Sequence, residues 1–260
     1  MANYIILLPP SESKKKEGDE NKPYRLAKNL KKNNYFISLE SDREYVYGKL
    51  REAITVLKEK ELEKVLELKG KKLQESIETI SDMLNLPVME AIERYTGVMF
   101  SAINYEKMTS EQKENFNNSV LFIDGMFGLL KPTDLIPDYK LKINSKYLEI
   151  DISKFWKERL KGILEVYLKD KIVIDILPES HRKILNPNLT NIIQISFCEL
   201  KNGKLVQVGH DSKKLKGEII NMIVSKENIN TSDLKGFKHS MGYSFSEKNS
   251  TEKLFVYLKN

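Results

Sequence analysis

Three short, uninterrupted apolar runs constrain the fold of this 260-residue chain more than any other feature. They are Tyr-Ile-Ile-Leu-Leu at 4–8, Val-Leu-Phe-Ile at 120–123 and Lys-Ile-Val-Ile-Asp at 171–175. Apolar runs of this length without alternation are typical of strands that are buried on both faces of a sheet. We therefore expect these runs to form interior strands of an α/β protein.

Other stretches carry apolar residues at three- and four-residue steps, which predicts amphipathic helices. The predicted helices are residues 40–67, 73–84, a stretch after Pro87 that includes Tyr95, and residues 110–118, 155–168 and 212–225. Lys-Asn-Gly at 201–203 predicts a hairpin between strands at 192–200 and 205–208, and a last strand contains Phe255 and Tyr257. Residues 11–32 lack periodicity and are predicted to form a long surface loop. Alternating strands and helices without a linker or repeat favour one mixed sheet flanked by helices, in a single domain spanning 1–260.

The charge balance favours a polyanionic partner. Lys and Arg number 43 against 37 Asp and Glu, for a formal net charge of +6. No apolar stretch approaches the roughly 20 residues that span a bilayer, so no membrane partner is expected. The single cysteine, Cys198, excludes an intrachain disulfide and is predicted to be a buried thiol, consistent with a cytoplasmic protein. The three histidines lack metal-ligand spacing, so neither a metal nor another cofactor is expected.

The residues with the most reactive or charged side chains follow the predicted strands. In α/β folds, ligands bind at the loops that leave the carboxyl ends of strands. After the three apolar runs and around the start of the helix at 212–225, such positions are Glu12, Lys14, Lys131, Asp175, His210, Lys213 and Lys216. Gly125 and Gly128 allow a tight turn after the second run. These loops are the predicted site.

A second basic element interrupts the helical stretches, at Lys69-Gly70-Lys71-Lys72. Two helices joined by a short turn that contains glycine present free backbone amides, which can hold a phosphate. The three lysines would add charge-assisted contacts. The second glycine of the full helix-hairpin-helix pattern is missing here, and an ordinary helical corner is the alternative.

Two functions fit these residues. The first is DNA binding, in which Lys14, Lys131, Lys140, Lys213 and Lys216 line a cleft and the turn at Gly70 holds a backbone phosphate. The second is an enzyme acting on a nucleotide or another phosphorylated small molecule, with Glu12, Asp175 and His210 as acid and base groups. A scaffold for a protein partner is a third option, but no patch in the sequence indicates it.

Several motifs across about 250 residues resemble the YaaA peroxide-stress family. Pro-Pro-Ser-Glu-Ser-Lys at 9–14 resembles the family's Pro-Pro-Ser-Glu-Gly-Lys, and Glu-Arg-Tyr-Thr-Gly-Val at 93–98 matches its run. Residues 125–141 resemble its Gly-Leu-Tyr-Gly-Leu-Leu-Arg-Pro segment and the Tyr-Arg-Leu that follows, with Phe127, Lys131 and Lys140 at the positions of Tyr and Arg. Further matches are Phe-Trp at 155–156, His-x-x-Lys-x-x-Lys-Gly at 210–217 and the glycines of 236–243.

The resemblance implies a single-domain α/β fold of unusual topology, the cantaloupe-type fold, with a basic cleft and a helix-hairpin-helix element. It also implies binding of duplex or structured DNA and a role in limiting iron-dependent oxidative damage. The sequence departs from the family at Pro178 and His181, where the family has Ser and Tyr, and Lys in place of Arg loses bidentate phosphate geometry.

Overall fold

The first apolar run lies inside the main sheet. The computed structural model describes residues 2–186, 189, 191–209 and 212–259. In it, Tyr4–Leu8 forms a fully buried strand, β1. This strand pairs in parallel with Val120–Asp124 on one side and Ile172–Asp175 on the other. The prediction that the three apolar runs form interior strands is confirmed.

The remaining elements follow in chain order within the described residues. The strands are β1 (Tyr4–Leu8), β2 (Asp19–Pro23), β3 (Pro87–Glu90), β4 (Val120–Asp124), β5 (Gly128–Leu130), β6 (Leu135–Ile136), β7 (Lys146–Tyr147), β8 (Ile150–Asp151), β9 (Ile172–Asp175), β10 (Ile192–Lys201), β11 (Lys204–Gln207), β12 (Tyr243–Phe245) and β13 (Leu254–Lys259). The helices are α1 (Tyr24–Ala27), α2 (Glu40–Val56), α3 (Glu59–Leu66), α4 (Gly70–Asp82), α5 (Ala91–Arg94), α6 (Val98–Ile103), α7 (Ser110–Ser119), α8 (Ile152–Tyr167), α9 (Glu179–Arg182), α10 (Ser212–Val224) and α11 (Thr231–Lys235).

The main sheet is mixed, as predicted. Its strand order is β12-β13-β10-β9-β1-β4-β5, with β11 beside β10. The strands from β13 to β4 in this order are parallel to their neighbours, whereas β5, β11 and β12 are antiparallel. Because β1, β4 and β9 are adjacent and parallel, their carboxyl ends meet at one edge of the sheet, which is called the carboxyl edge below.

The predicted hairpin at the end of the sheet is confirmed. β10 and β11 pair in antiparallel register around Asn202 and Gly203, whose φ angles are 51° and 74°. Two consecutive positive φ angles are the geometry of the tight turn that matches the twist of a hairpin. Cys198 lies in β10 and is buried, as predicted. No helix in the described part of the chain is long and apolar enough to cross a membrane.

Three local predictions were wrong. The stretch after Pro87 begins as strand β3 rather than a helix, because Val88 pairs with Asp19 and Met89 pairs with Ile136. Residues 11–32 are not one long loop, since they contain β2 and α1. The helix predicted over 40–67 is broken, because Leu57 and Lys58 are extended.

The turn after β4 is held by close packing against α8. The indole of Trp156 is fully buried and donates a hydrogen bond to the Gly125 carbonyl oxygen at 2.8 Å. Gly128 has a φ of +70°, and a Cβ at this position would lie 2.6 Å from the indole ring. A side chain at Gly128 would therefore be strained and would displace the ring. These contacts fix the backbone that follows Asp124.

Candidate functional site

The carboxyl edge brings together loops that are far apart in the sequence. β1 leads into residues 9–14, β4 ends at Asp124 and β9 ends at Asp175. Helix α10 reaches the same edge, where the Lys216 ammonium donates to the Ile176 carbonyl oxygen at 3.0 Å. The predicted gathering of strand-end residues is therefore observed for several of them.

Lys14 is half-buried in the middle of this edge. Its ammonium donates a hydrogen bond to the Ser11 carbonyl oxygen at 2.8 Å and lies 4.1 Å from the centroid of the Tyr139 ring. Burial lowers its pKa to about 8, although the charges of Asp124 and Asp138 act in the opposite direction. Within the described residues, its ammonium forms no salt bridge.

Asp124 is fully buried and binds two tyrosine hydroxyls beside Lys14. Its Oδ1 accepts the backbone N–H groups of Met126 and Phe127 at 2.7 and 3.0 Å. Its Oδ2 accepts from the hydroxyls of Tyr139 and Tyr95, the latter at 3.3 Å. Burial and the Asp124 charge raise the pKa of both tyrosines well above its ordinary value, so both hydroxyls carry their protons at neutral pH.

Glu12 is exposed and connects two basic elements. Its carboxylate lies 3.5 Å from the Lys140 ammonium and 3.2 Å from that of Lys142. Lys142 also pairs with Glu67 at 2.6 Å, in the turn between α3 and α4. Burial alone would raise the pKa of Glu12, but the two ammonium groups lower it below its ordinary value. The loop after β1 and the helical turn are therefore neighbours.

The helical turn presents its lysines to solvent. α3 is followed by Glu67 in the left-handed region, with φ of 52°, and α4 begins at Gly70. Lys69, Gly70, Lys71 and Lys72 are all exposed. The structure thus shows two helices joined by a short turn, with a cluster of cations at its tip.

Asp175 is buried, and its carboxylate is fully engaged. Both oxygens accept hydrogen bonds from the Arg182 guanidinium, and Oδ1 also accepts the Leu177 N–H at 2.8 Å. Lys216 is partly buried, and burial lowers its pKa. Lys213 is exposed one turn earlier on α10. The partners of Asp175 give it an anchoring position rather than that of a free base.

Two predicted site residues do not join this cluster. Lys131 follows β5, which is antiparallel to β4, so it lies at the amino edge of the parallel strands. Its buried ammonium donates to the Asn118 carbonyl oxygen at 2.8 Å and lies about 5 Å from the rings of Tyr35 and Tyr167. His210 lies outside the described residues, so the predicted trio of Glu12, Asp175 and His210 has no observed geometry.

The structure also adds residues that the sequence analysis missed. Lys142 follows Lys140 by two positions. In an extended segment this spacing places both side chains on one face, so it indicates that the two lysines share a surface. Arg94 is fully buried and donates to four backbone carbonyl oxygens, of Ile136, Lys15, Glu17 and Pro87, at 2.7–3.2 Å. Arg94 lies in the Glu-Arg-Tyr-Thr-Gly-Val motif at 93–98, but nothing local in the sequence indicates that its side chain holds the loop around Lys14.

A cleft of about 1010 Å³ opens beside Asp175 and Arg182. It extends the charged edge toward α8, and its wall carries further lysines. These lysines are Lys146, Lys154, Lys157, Lys183 and Lys253. Lys146 is paired with Asp151 at 2.9 Å, so part of this charge is neutralised.

Comparison with known proteins identifies the family of this chain. The sequence model of the family described as peroxide stress protein YaaA matches residues 4–249. A UPF0246 protein of Rickettsia africae is 29% identical over 218 residues, which cover 82% of this chain and 88% of the relative. A UPF0246 protein of Rickettsia bellii is 31% identical over 175 residues, or 65% of this chain and 70% of the relative. The chain therefore belongs to the YaaA family of peroxide-stress proteins.

Proposed function

We propose that this protein binds duplex or structured DNA across its carboxyl edge and, in the peroxide-stress response, helps to limit iron-dependent damage to that DNA. Family membership supports the stress-related part of the proposal. The distribution of lysines supports the DNA-binding part, because ammonium groups that contact phosphates supply affinity without reading the base sequence.

One observation carries the proposal: Lys142 pairs with both Glu12 and Glu67. These two salt bridges place the helical turn next to the loop after β1. A second pair, Lys16 with Glu75 of α4 at 3.3 Å, supports the same contact. These contacts support a shared binding surface for the exposed lysines of the turn and the loop after β1.

The lysines of this surface differ in how free they are to bind a phosphate. Lys69, Lys72 and Lys213 are exposed, and within the described residues they have no carboxylate partner. Lys140 and Lys142 are held by Glu12, so a phosphate would have to replace that carboxylate. We expect the exposed lysines to make the first contacts and to dominate the salt dependence of binding.

The test is the slope of log affinity against log salt concentration for a duplex. In the Lys72→Ala and Lys213→Ala variants we expect the slope to fall by about 1 for each phosphate contact that is removed. Lys169→Ala is the matched control, because Lys169 is also exposed but lies in the turn that precedes β9, at the amino edge. An affinity that does not depend on salt, or equal effects of all three variants, would contradict the proposal.

A phosphorylated small molecule is a second candidate ligand. The observation that favours it is the mixture of charges around Lys14, where the buried Asp124 and the paired Glu12 lie among the cations. A surface that only binds a polyanion has no need of buried carboxylates. Such a mixture is typical of a small site that positions acid and base groups.

A further inference from the structure

The surroundings of the Lys14 ammonium differ from those of the other lysines at the carboxyl edge. Among the residues that the structure describes, its single hydrogen-bond acceptor is the Ser11 carbonyl oxygen, and it lies over the faces of two tyrosine rings, at 4.1 Å from Tyr139 and 5.7 Å from Tyr95. Lys140 and Lys142, by contrast, are paired with carboxylates. A half-buried amine without a salt bridge is the kind of lysine that loses its proton readily and acts as a nucleophile.

Proton donors and acceptors surround this amine. The hydroxyls of Tyr95 and Tyr139 are 3.0 Å apart, and both contact the buried carboxylate of Asp124. The charge of Glu12 also acts on His181, whose pKa burial lowers to about 4, so this imidazole is neutral at pH 7. Protonated hydroxyls that contact a buried carboxylate can relay the protons that move when an amine adds to a carbonyl.

We propose that the amine of Lys14 forms an imine with the aldehyde of a phosphorylated sugar, and that on DNA this aldehyde is the ring-opened deoxyribose of an abasic site. The DNA form of this inference rests on the proposed function. The lysines beside the amine would bind the phosphate that accompanies the sugar.

The step is balanced without an oxidant or a reductant. The lone pair of the neutral amine attacks the carbonyl carbon and forms the C–N bond, the carbonyl π pair moves onto the oxygen, and one proton passes from the nitrogen to that oxygen. The nitrogen lone pair then forms the C=N bond as the C–O bond breaks, and the hydroxyl leaves as water with one proton relayed by the tyrosine hydroxyls. The second nitrogen proton returns to the same hydroxyls and leaves the imine. Asp124 holds these hydroxyls in place and so acts as a positioning residue.

The experiment traps the imine by reduction with sodium cyanoborohydride and locates the adduct by peptide mass mapping of the full chain. The probes are 2-deoxyribose 5-phosphate and a duplex with one central abasic site. We expect Lys14 to be modified at least about tenfold faster than the exposed neighbour Lys16, because burial lowers the pKa of the Lys14 amine to about 8. Adducts spread evenly over the exposed lysines would overturn the inference.

Two variants complete the test. Lys14→Arg keeps the positive charge but cannot form the imine, so the adduct at position 14 should disappear with both probes. Lys16→Arg is the matched control and should leave the adduct at Lys14 unchanged. Mapping of the unsubstituted protein gives the same comparison within one folded chain, so the result does not depend on the folding of either variant.

The two probes separate the two proposals. If the duplex binds with a steep salt dependence but no adduct forms at Lys14 with either probe, this inference fails and DNA binding stands. If 2-deoxyribose 5-phosphate modifies Lys14 but neither intact nor abasic duplex binds, the reactive lysine stands and the DNA-binding proposal fails.

Discussion

Lys14 and Lys131 lie at opposite edges of the parallel strands, yet burial lowers the pKa of each ammonium group to about 8. Each donates to one backbone carbonyl oxygen, and each lies near the faces of two tyrosine rings. They differ in access. Lys131 is only 5% exposed and is covered by packed side chains, whereas Lys14 is half-buried in a loop at the edge where the strands end.

A lowered pKa by itself therefore does not identify a functional lysine. The same desolvation acts on both groups, but only at the carboxyl edge can a ligand reach the amine. The neighbouring charges also differ. The negative charges of Asp124, Asp138 and Glu12 favour the charged form of Lys14, whereas that of Asp134 favours the charged form of Lys131. Position in the fold therefore separates a candidate nucleophile from a buried cation.

The largest expected effect comes from Arg94, which holds the Lys14 loop and does not contact Lys131. Replacing it in Arg94→Lys leaves buried carbonyl oxygens without donors, so we expect the free energy of unfolding to fall by about 3 kcal/mol. Urea denaturation measures the loss. Amide exchange should accelerate in residues 9–18 more than around Lys131, and equal acceleration at the two edges would contradict the comparison.

The matched control for Arg94→Lys is Arg51→Lys. Arg51 is exposed on α2, so this variant should change the free energy of unfolding by no more than about 0.5 kcal/mol. A comparable loss in both variants would mean that the four hydrogen bonds of Arg94 do not stabilise the fold.

A smaller effect is expected where α10 packs against α6, because α10 carries two lysines of the carboxyl edge. A Cβ on Gly217 would lie 2.5 Å from the Ala102 Cβ and 2.9 Å from the Met99 carbonyl oxygen. Gly217→Ala should therefore lower the free energy of unfolding by about 1–3 kcal/mol and weaken DNA binding by shifting α10.

Gly162→Ala is the control for Gly217→Ala. Gly162 is exposed within α8, and a Cβ there meets nothing within 4 Å. Because alanine favours a helix interior over glycine, this variant should raise the free energy of unfolding by about 0.5–1 kcal/mol. Thermal or urea denaturation of the two variants side by side gives the signs, and a loss in both would contradict the packing argument.

The smallest effect concerns pH. Folding lowers the pKa of Lys131 to about 8 from 10.5, so the unfolded chain binds more protons than the folded one between these values. The contribution of Lys131 to the free energy of unfolding should then rise by about 1–2 kcal/mol from about pH 7.5 to 9.5, and Lys14, whose pKa is also lowered to about 8, should add a rise in the same window. Above this window, tyrosines whose pKa is raised by burial act in the opposite direction, because the unfolded chain loses their protons first.

Lys131→Met and Lys14→Met should remove similar parts of this rise, because burial lowers the pKa of both ammonium groups to about 8. Denaturation at several pH values measures both variants. A reduction by Lys131→Met alone would show that solvent at the carboxyl edge removes the coupling of Lys14 to folding.

Much of the fold could be predicted from local patterns, and less of the site. The interior strands and the hairpin at Asn202 were predicted because each depends on residues that are close together in the chain. Strand β3 could not be predicted, since its conformation depends on pairing with Asp19 and Ile136, far away in the sequence.

Lys14 and Glu12 were predicted as site residues from their place after a strand. Asp124 was not predicted as a site residue, because nothing local shows that Tyr95 and Tyr139 bind its carboxylate.

The interior strands, most of the helices and the excess of lysine at strand ends can be read from short segments, because hydrophobic periodicity and charge are local properties. Which lysines come together depends on strand direction. β5 runs antiparallel to β4 and carries Lys131 to the amino edge, while the parallel strands β1, β4 and β9 bring Lys14, Asp124 and Asp175 to the carboxyl edge.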